Sequence, residues 1–121
     1  MITQPKPHEV WWGNFPYDDD SSKSKNRPVI ILSFDSRSQI VLCVKVTSHP
    51  PRNKYDIPLS DWYSIPLNHK SYARIEHSLA LPIASLSNRI GQLTDTDIKC
   101  IDTAYINYSK KKIADQQNHQ E

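Results

Sequence analysis

Glycine is nearly missing from this chain, with two in 121 residues against nine prolines. That scarcity excludes a Gly-rich phosphate loop, and no nucleophile-elbow pattern occurs either. The prolines impose fixed bends and leave few hinges. Cysteine is equally scarce. Cys43 and Cys100 show neither metal-ligand spacing nor a disulfide framework, and Cys43, inside an apolar run, is expected to be a buried thiol. The net charge of +2 is too small to argue for nucleic-acid binding by itself, so any electrostatic case must be local. Long hydrophobic runs are absent. The longest span residues 29–32 and 40–44, far below the roughly 20 residues of a membrane helix. Residues 1–8 hold no apolar stretch resembling a signal peptide. The expectation is a soluble, cytoplasmic protein with no membrane contact.

What is there suffices for one core. Hydrophobic residues make up 37%, while the mean hydropathy of −0.64 implies a polar surface. The chain is long enough for one domain and too short for two. Residues 1–8 read as a flexible arm, 9–112 as the single domain and 113–121 as a polar, frayed tail. Residues 8–15 read as a strand, with Val10 and Trp12 on one face and Trp11, Gly13 and Phe15 on the other. Residues 16–26 are a loop by composition. The next strand opens at Arg27 or Pro28, where proline is tolerated, and a tight turn at 35–38 leads into a strand at 39–48, giving a hairpin. Residues 49–53 break the sheet and 54–57 resume it. Residues 58–70 are irregular and anchored by Trp62, and 72–81 and 88–93 are two more strands.

A helix follows. Thr94 caps it, Asp95 and Asp97 lie in its first turn, and Asp97 stands at the capping-box position. Ile98, Ile101, Tyr105 and Tyr108 form an apolar stripe, and Lys110, Lys111 and Lys112 close the carboxyl end. The expected class is mainly β with a C-terminal helix, arranged as a small barrel. No internal repeat is visible.

Three features bear on chemistry. Lys23, Lys25 and Arg27 place three cations within five residues, and Pro28 keeps Arg27 extended. A guanidinium offers a planar donor fork to two phosphate oxygens; the alternative is a solvated loop balanced by Asp18, Asp19 and Asp20, which composition alone favours. Thr47, at a strand exit on the face of Cys43 and Lys45, can donate to a phosphate oxygen or serve only as a β-former. His49 suits a general base or is an exposed turn residue before Pro50. His8, His69, His77 and His119 share no metal-binding spacing and are assigned to surface or supporting roles.

In order along residues 9–106, these segments resemble the PemK/MazF family of toxin endoribonucleases. The pieces are a tryptophan-bearing strand ending Phe15-Pro16, then Lys25-Asn26-Arg27-Pro28-Val29-Ile30-Ile31-Leu32-Ser33 and Val44-Lys45-Val46-Thr47-Ser48. Tyr55-Asp56-Ile57-Pro58-Leu59, Ser71-Tyr72-Ala73-Arg74-Ile75, Leu81-Pro82 and Ile90-Gly91-Gln92-Leu93 complete them. The chain departs from the family in opening its first strand with His8-Glu9 and in having no glycine in the loop before Arg27.

The resemblance implies an SH3-like barrel of the CcdB/MazF type, acting as a homodimer and inhibited by a small antitoxin. It implies cleavage of single-stranded RNA without metal or cofactor, by 2′-hydroxyl attack that leaves a 2′,3′-cyclic phosphate and a 5′-hydroxyl. Arg27 matches the family's arginine before proline and Thr47 its strand-end threonine, so these two are the expected catalytic pair: Arg27 stabilises the phosphorane and, as the resemblance implies, moves the proton to the leaving oxygen, although a free guanidinium is a poor proton donor, and Thr47 holds a non-bridging oxygen. Lys25, Asn26, Ser48 and His49 are expected substrate contacts, with Tyr17 a stacking surface for an unpaired base. The acids at 18–20 are expected to swing aside for RNA. The other reading is a non-catalytic binding module, or a gyrase-poison-like toxin of the same barrel, docking through exposed Trp11, Trp62 and Tyr63.

Overall fold

The computed structural model describes residues 4–17, 20 and 22–118. Its strands are β1 (Glu9–Pro16), β2 (Ser24–Asp35), β3 (Ile40–Thr47), β4 (Asp56–Pro58), β5 (Tyr72–Pro82) and β6 (Leu86–Gln92). They form one antiparallel sheet in the order β4-β5-β3-β2-β1-β6. A 3-10 turn at Ile83–Ser85 joins β5 to β6, and α1 (Asp95–Asn118) follows. The class is therefore the expected one, mainly β with one C-terminal helix. Register shifts in β1–β6, β2–β3 and β3–β5 bend the sheet, as bulges do. The curl is barrel-like but open: β4 and β6 lie at opposite edges of the strand order.

Both faces of the central strands are buried, which explains their near-continuous apolar runs. Val10, Ile30, Val44, Val46 and Ile75 meet α1, whose Ile98, Ile101, Ala104, Tyr105 and Tyr108 recur at three- and four-residue spacing and turn one stripe inward. Truncating the fully buried Ile101 to alanine is expected to cost about 2–5 kcal/mol. The opposite face gathers Trp11, Phe15, Val29, Ile31, Val41, Cys43 and Leu81. The apolar strand faces are thus largely covered within one chain. Burial pushes the Cys43 thiol up to about 12.

Several boundaries differ from expectation. β2 starts at Ser24, so Ser24, Lys25 and Asn26 are strand residues paired with Pro16, Phe15 and Asn14, not a loop, and Arg27 follows them opposite Gly13. The cause is a long-range partner, β1, which composition does not reveal. The end of the arm is tied down: His8 N–H donates to the Ile31 carbonyl at 2.7 Å, Leu93 N–H donates to the His8 carbonyl at 2.9 Å, and Pro5 is buried. The helix runs on to Asn118 with no basic residue in its last turn, because residues 113–118 contain neither glycine nor proline. Lys110, Lys111 and Lys112 therefore lie inside it.

Asp97 does not close a capping box. Thr94 Oγ1 does accept from Asp97 N–H, at 3.4 Å. The Asp97 carboxylate, however, is 1% exposed and accepts from Ser60 N–H at 2.9 Å and Asp61 N–H at 3.1 Å. It fastens the irregular 58–70 segment to the helix start. The same segment is held at its other end by Gly91, where any Cβ would overlap the Ile65 carbonyl. Among the described residues no helix is long and apolar enough to cross a membrane.

Candidate active site

Val29 of β2 pairs with Lys45 of β3. Two residues further out on each strand the alternation returns to the same face, which brings Arg27 and Thr47 to one side of the sheet. Both line a cavity of about 370 Å³. Lys25 and Asn26 border it from β2, and Ser48 and His49 border it just beyond β3. Its other wall is Asn68, His69 and Ser71, leading into β5, with Trp12, Pro28 and Leu67 as apolar lining.

Arg27 is the most telling of these. It is partly exposed, yet its Nε is shut away from solvent and has no hydrogen-bond partner among the described residues. A buried charged N–H without a partner is costly and rare, and an anion oxygen would satisfy it with a charge-assisted bond. Thr47 is 6% exposed, and its Oγ1 accepts from His49 N–H at 3.2 Å. That bond uses an oxygen lone pair and leaves the hydroxyl hydrogen available for a second oxygen.

The charges one step deeper on the same face are arranged differently. Lys45, Arg74 and Asp56 are all buried, in register across β3, β5 and β4. Asp56 Oδ2 accepts from Arg52 N–H at 2.8 Å and Nε at 3.2 Å, and lies 3.8 Å from Arg74 Nε. Among the described residues no carboxylate lines the cavity itself, and Lys25 and Arg27 make that described lining cationic although the chain as a whole is nearly neutral. Such a local field is what an anionic ligand requires.

Six of the expected residues thus meet: Lys25, Asn26, Arg27, Thr47, Ser48 and His49. Tyr17 does not line the cavity; it is exposed just past β1, its N–H donating to the Lys23 carbonyl at 3.0 Å. Asp18 and Asp19 lie outside the described residues, while Asp20 accepts from Ser22 N–H at 3.1 Å and Oγ at 2.5 Å. Trp12, Asn68, His69 and Ser71 were not among the expected site residues. Residues 58–70 carry no periodicity that could have signalled a wall.

The aromatic docking face expected under the binding-module reading needs correction. Trp11 is buried, its Nε1 donating to Glu9 Oε1 at 3.1 Å. Trp62 is half-buried against the helix-side core, and of the three only Tyr63, at 64%, is exposed. Among the described residues, no group of three or more His, Cys, Asp or Glu side chains could hold a metal ion.

Comparison with known proteins bears on the fold. No curated protein sequence matches the chain. Among solved structures, MazF from Deinococcus radiodurans superposes with a TM-score of 0.73 at 14% identity, covering 90% of this chain and 99% of that one. An endoribonuclease in complex with its cognate antitoxin, from a mycobacterial species, gives 0.69 at 20% identity, covering 86% and 93%. A MazE–MazF complex from Deinococcus radiodurans gives 0.70 at 14% identity, covering 88% and 96%. At these identities the likeness is one of fold. The model for the PemK-like, MazF-like toxin of type II toxin–antitoxin systems matches residues 6–107, a span that holds the whole sheet, every residue lining the cavity and most of the helix. The chain belongs to that toxin family.

Proposed function

We propose that this toxin is an endoribonuclease that cleaves single-stranded RNA in the Arg27–Thr47 cavity, without a metal ion. The ribose 2′-hydroxyl attacks the adjacent phosphorus, the bond to the 5′ oxygen breaks, and the products are a 2′,3′-cyclic phosphate and a 5′-hydroxyl. Metal ions are dispensable in this scheme because the nucleophile belongs to the substrate. The Arg27 fork and the Thr47 hydroxyl meet the charge that develops on the non-bridging oxygens. His49, beside Thr47, takes the 2′-hydroxyl proton, and Lys25, Asn26 and Ser48 hold the flanking backbone.

The observation that supports this reading is the solvent-shielded Arg27 Nε, without a partner among the described residues, at a cavity that Thr47 also lines. The test is incubation of pure protein with an RNA oligomer in a chelator. Cleavage with cyclic-phosphate ends is expected, and a single 2′-deoxy substitution 5′ of the cut should abolish it. A cut that survives that substitution would point to hydrolysis by water instead.

As a toxin of this family the chain is inferred to bind a cognate antitoxin, as the mycobacterial endoribonuclease named above does. Co-expression of the partner should suppress cleavage. It is also inferred to act as a homodimer. Ile106 and Ile113, left exposed on α1, are the apolar surface that such pairing would cover. A monomeric mass at micromolar concentration would count against it.

A further inference from the structure

We propose that the groove between α1 and β4 is a second RNA-binding site, which grips the single strand outside the cleavage cavity; the inference rests on the RNA-cleaving reading above. The groove has a volume of about 650 Å³. Tyr55 and Ile57 line it from the β4 side, Cys100 and Ala104 line it from the helix, and the exposed Lys54 and Lys99 bring charge to it. Two ammonium groups converge there on one ring. Lys54 Nζ lies 5.3 Å from the Tyr55 ring centroid and Lys111 Nζ 5.5 Å from it. Tyr55 meets Tyr108 edge-on at 5.2 Å, and Lys112 Nζ lies 5.5 Å from that second ring.

Attraction to the ring faces offsets part of the repulsion among these cations. None of the four lysines, however, has a carboxylate partner among the described residues. Like charges without counter-ions, set beside an apolar groove, suit a ligand that carries both anionic and flat apolar groups. Single-stranded RNA has both: phosphates for the ammonium groups and unpaired bases for the aromatic and aliphatic lining. An acidic polypeptide strand fits less well. Of the three residues of β4, Pro58 has no N–H, and the Asp56 N–H already donates to the Asn53 carbonyl at 3.1 Å. Two of the three donor positions on that sheet edge are thus closed to a docked strand.

The chain itself links the two sites. His49 lines the cleavage cavity and Lys54 the groove, five positions apart on one connection, which limits the separation of their backbones to roughly 18 Å. An RNA strand leaving the cavity past His49 is therefore within reach of Lys54. The apolar surface inferred for homodimer pairing lies elsewhere. Ile106 and Ile113 each stand six positions on from Cys100 and Asn107, about 120° round the helix.

The test compares two RNA oligomers with the same cut site, one just filling the cavity and one extended at both ends. In K54A/K111A/K112A, KM for the extended oligomer should rise about tenfold with kcat unchanged. Its log–log salt dependence should flatten by about 2, roughly 0.7 for each of the three phosphate contacts. The short oligomer should be cut as by the wild type. Cys100, exposed in the groove, gives an independent readout. The extended oligomer, made uncleavable by a 2′-deoxy residue, should slow its modification by a thiol reagent, and the short one should not. Unchanged KM and salt dependence, equal losses on both oligomers, or Cys100 labelling indifferent to RNA would each overturn the proposal. So would an acidic peptide that protects Cys100 where RNA does not, since it assigns the groove to a protein. A wild type that cuts neither oligomer overturns the cleavage reading, while protection of Cys100 by the extended RNA would still uphold the groove.

Discussion

Arg27 and Thr47 occupy corresponding positions on β2 and β3, each two residues beyond the paired Val29 and Lys45, and both line one cavity. The arginine brings an Nε–H without a partner among the described residues, and the threonine a hydroxyl whose oxygen is engaged by His49 N–H. R27A should lower the cleavage rate by about 10²–10³-fold. It should lower the melting temperature little, because the buried Nε has no partner to lose among the described residues. R27K keeps the charge but not the fork, and should fall between the two. T47S should retain activity, and T47V should lose about 10–100-fold, the worth of one hydrogen bond to a charged group. Initial rates and thermal unfolding of the four variants check these points.

Asp97 joins two remote parts of the chain through Ser60 N–H and Asp61 N–H. D97A leaves both donors without that acceptor, and should destabilise the fold by about 2–3 kcal/mol. Chemical denaturation measures it; an unchanged midpoint would mean that water replaces the carboxylate without loss.

The two thiols should behave oppositely. Cys100 is exposed, whereas Cys43 is buried with its thiol pushed up to about 12 by desolvation. The thiolate is the reactive form. A thiol reagent at neutral pH should therefore modify Cys100 promptly and reach Cys43 only on unfolding. Mass spectrometry of the modified peptides distinguishes them.

Glu9 should contribute to acid sensitivity. Burial alone would raise its carboxyl, but hydrogen bonds from Lys6 N–H, Trp11 and Arg89, with the Arg89 charge, outweigh that and lower it below 4.5. A carboxylate depressed in the folded state stabilises above its unfolded pKa, and that stability is lost as pH falls through the folded value. E9Q should therefore be less stable than wild type at neutral pH, and the gap should narrow as pH falls below the ordinary glutamate value of 4.5. Melting curves across this range show whether it does.

The sequence makes the strand-borne half of the site legible. Arg27 is held extended by Pro28, and strict alternation puts Thr47 with Lys45, so local rules suffice for both. His69, Asn68 and Ser71 were illegible for the opposite reason. Their segment is placed by Asp97 and by the approach of Ile65 to Gly91, contacts across 26 or more positions that no local pattern encodes. Trp11 shows the same limit: a tryptophan in an alternating strand reads as exposed until the second apolar layer is known to cover it. The missing antiparallel partner likewise hid the first three residues of β2.

Gly91 contributes no side chain to the cavity, yet the missing methyl is what lets the Ile65 backbone settle against β6. The placement of the 66–69 wall is thus linked to a position on the far edge of the sheet. A genetic screen for cells that survive expression of this toxin would accordingly recover substitutions at Gly91 beside those at Arg27, and only the latter would leave the protein's stability intact.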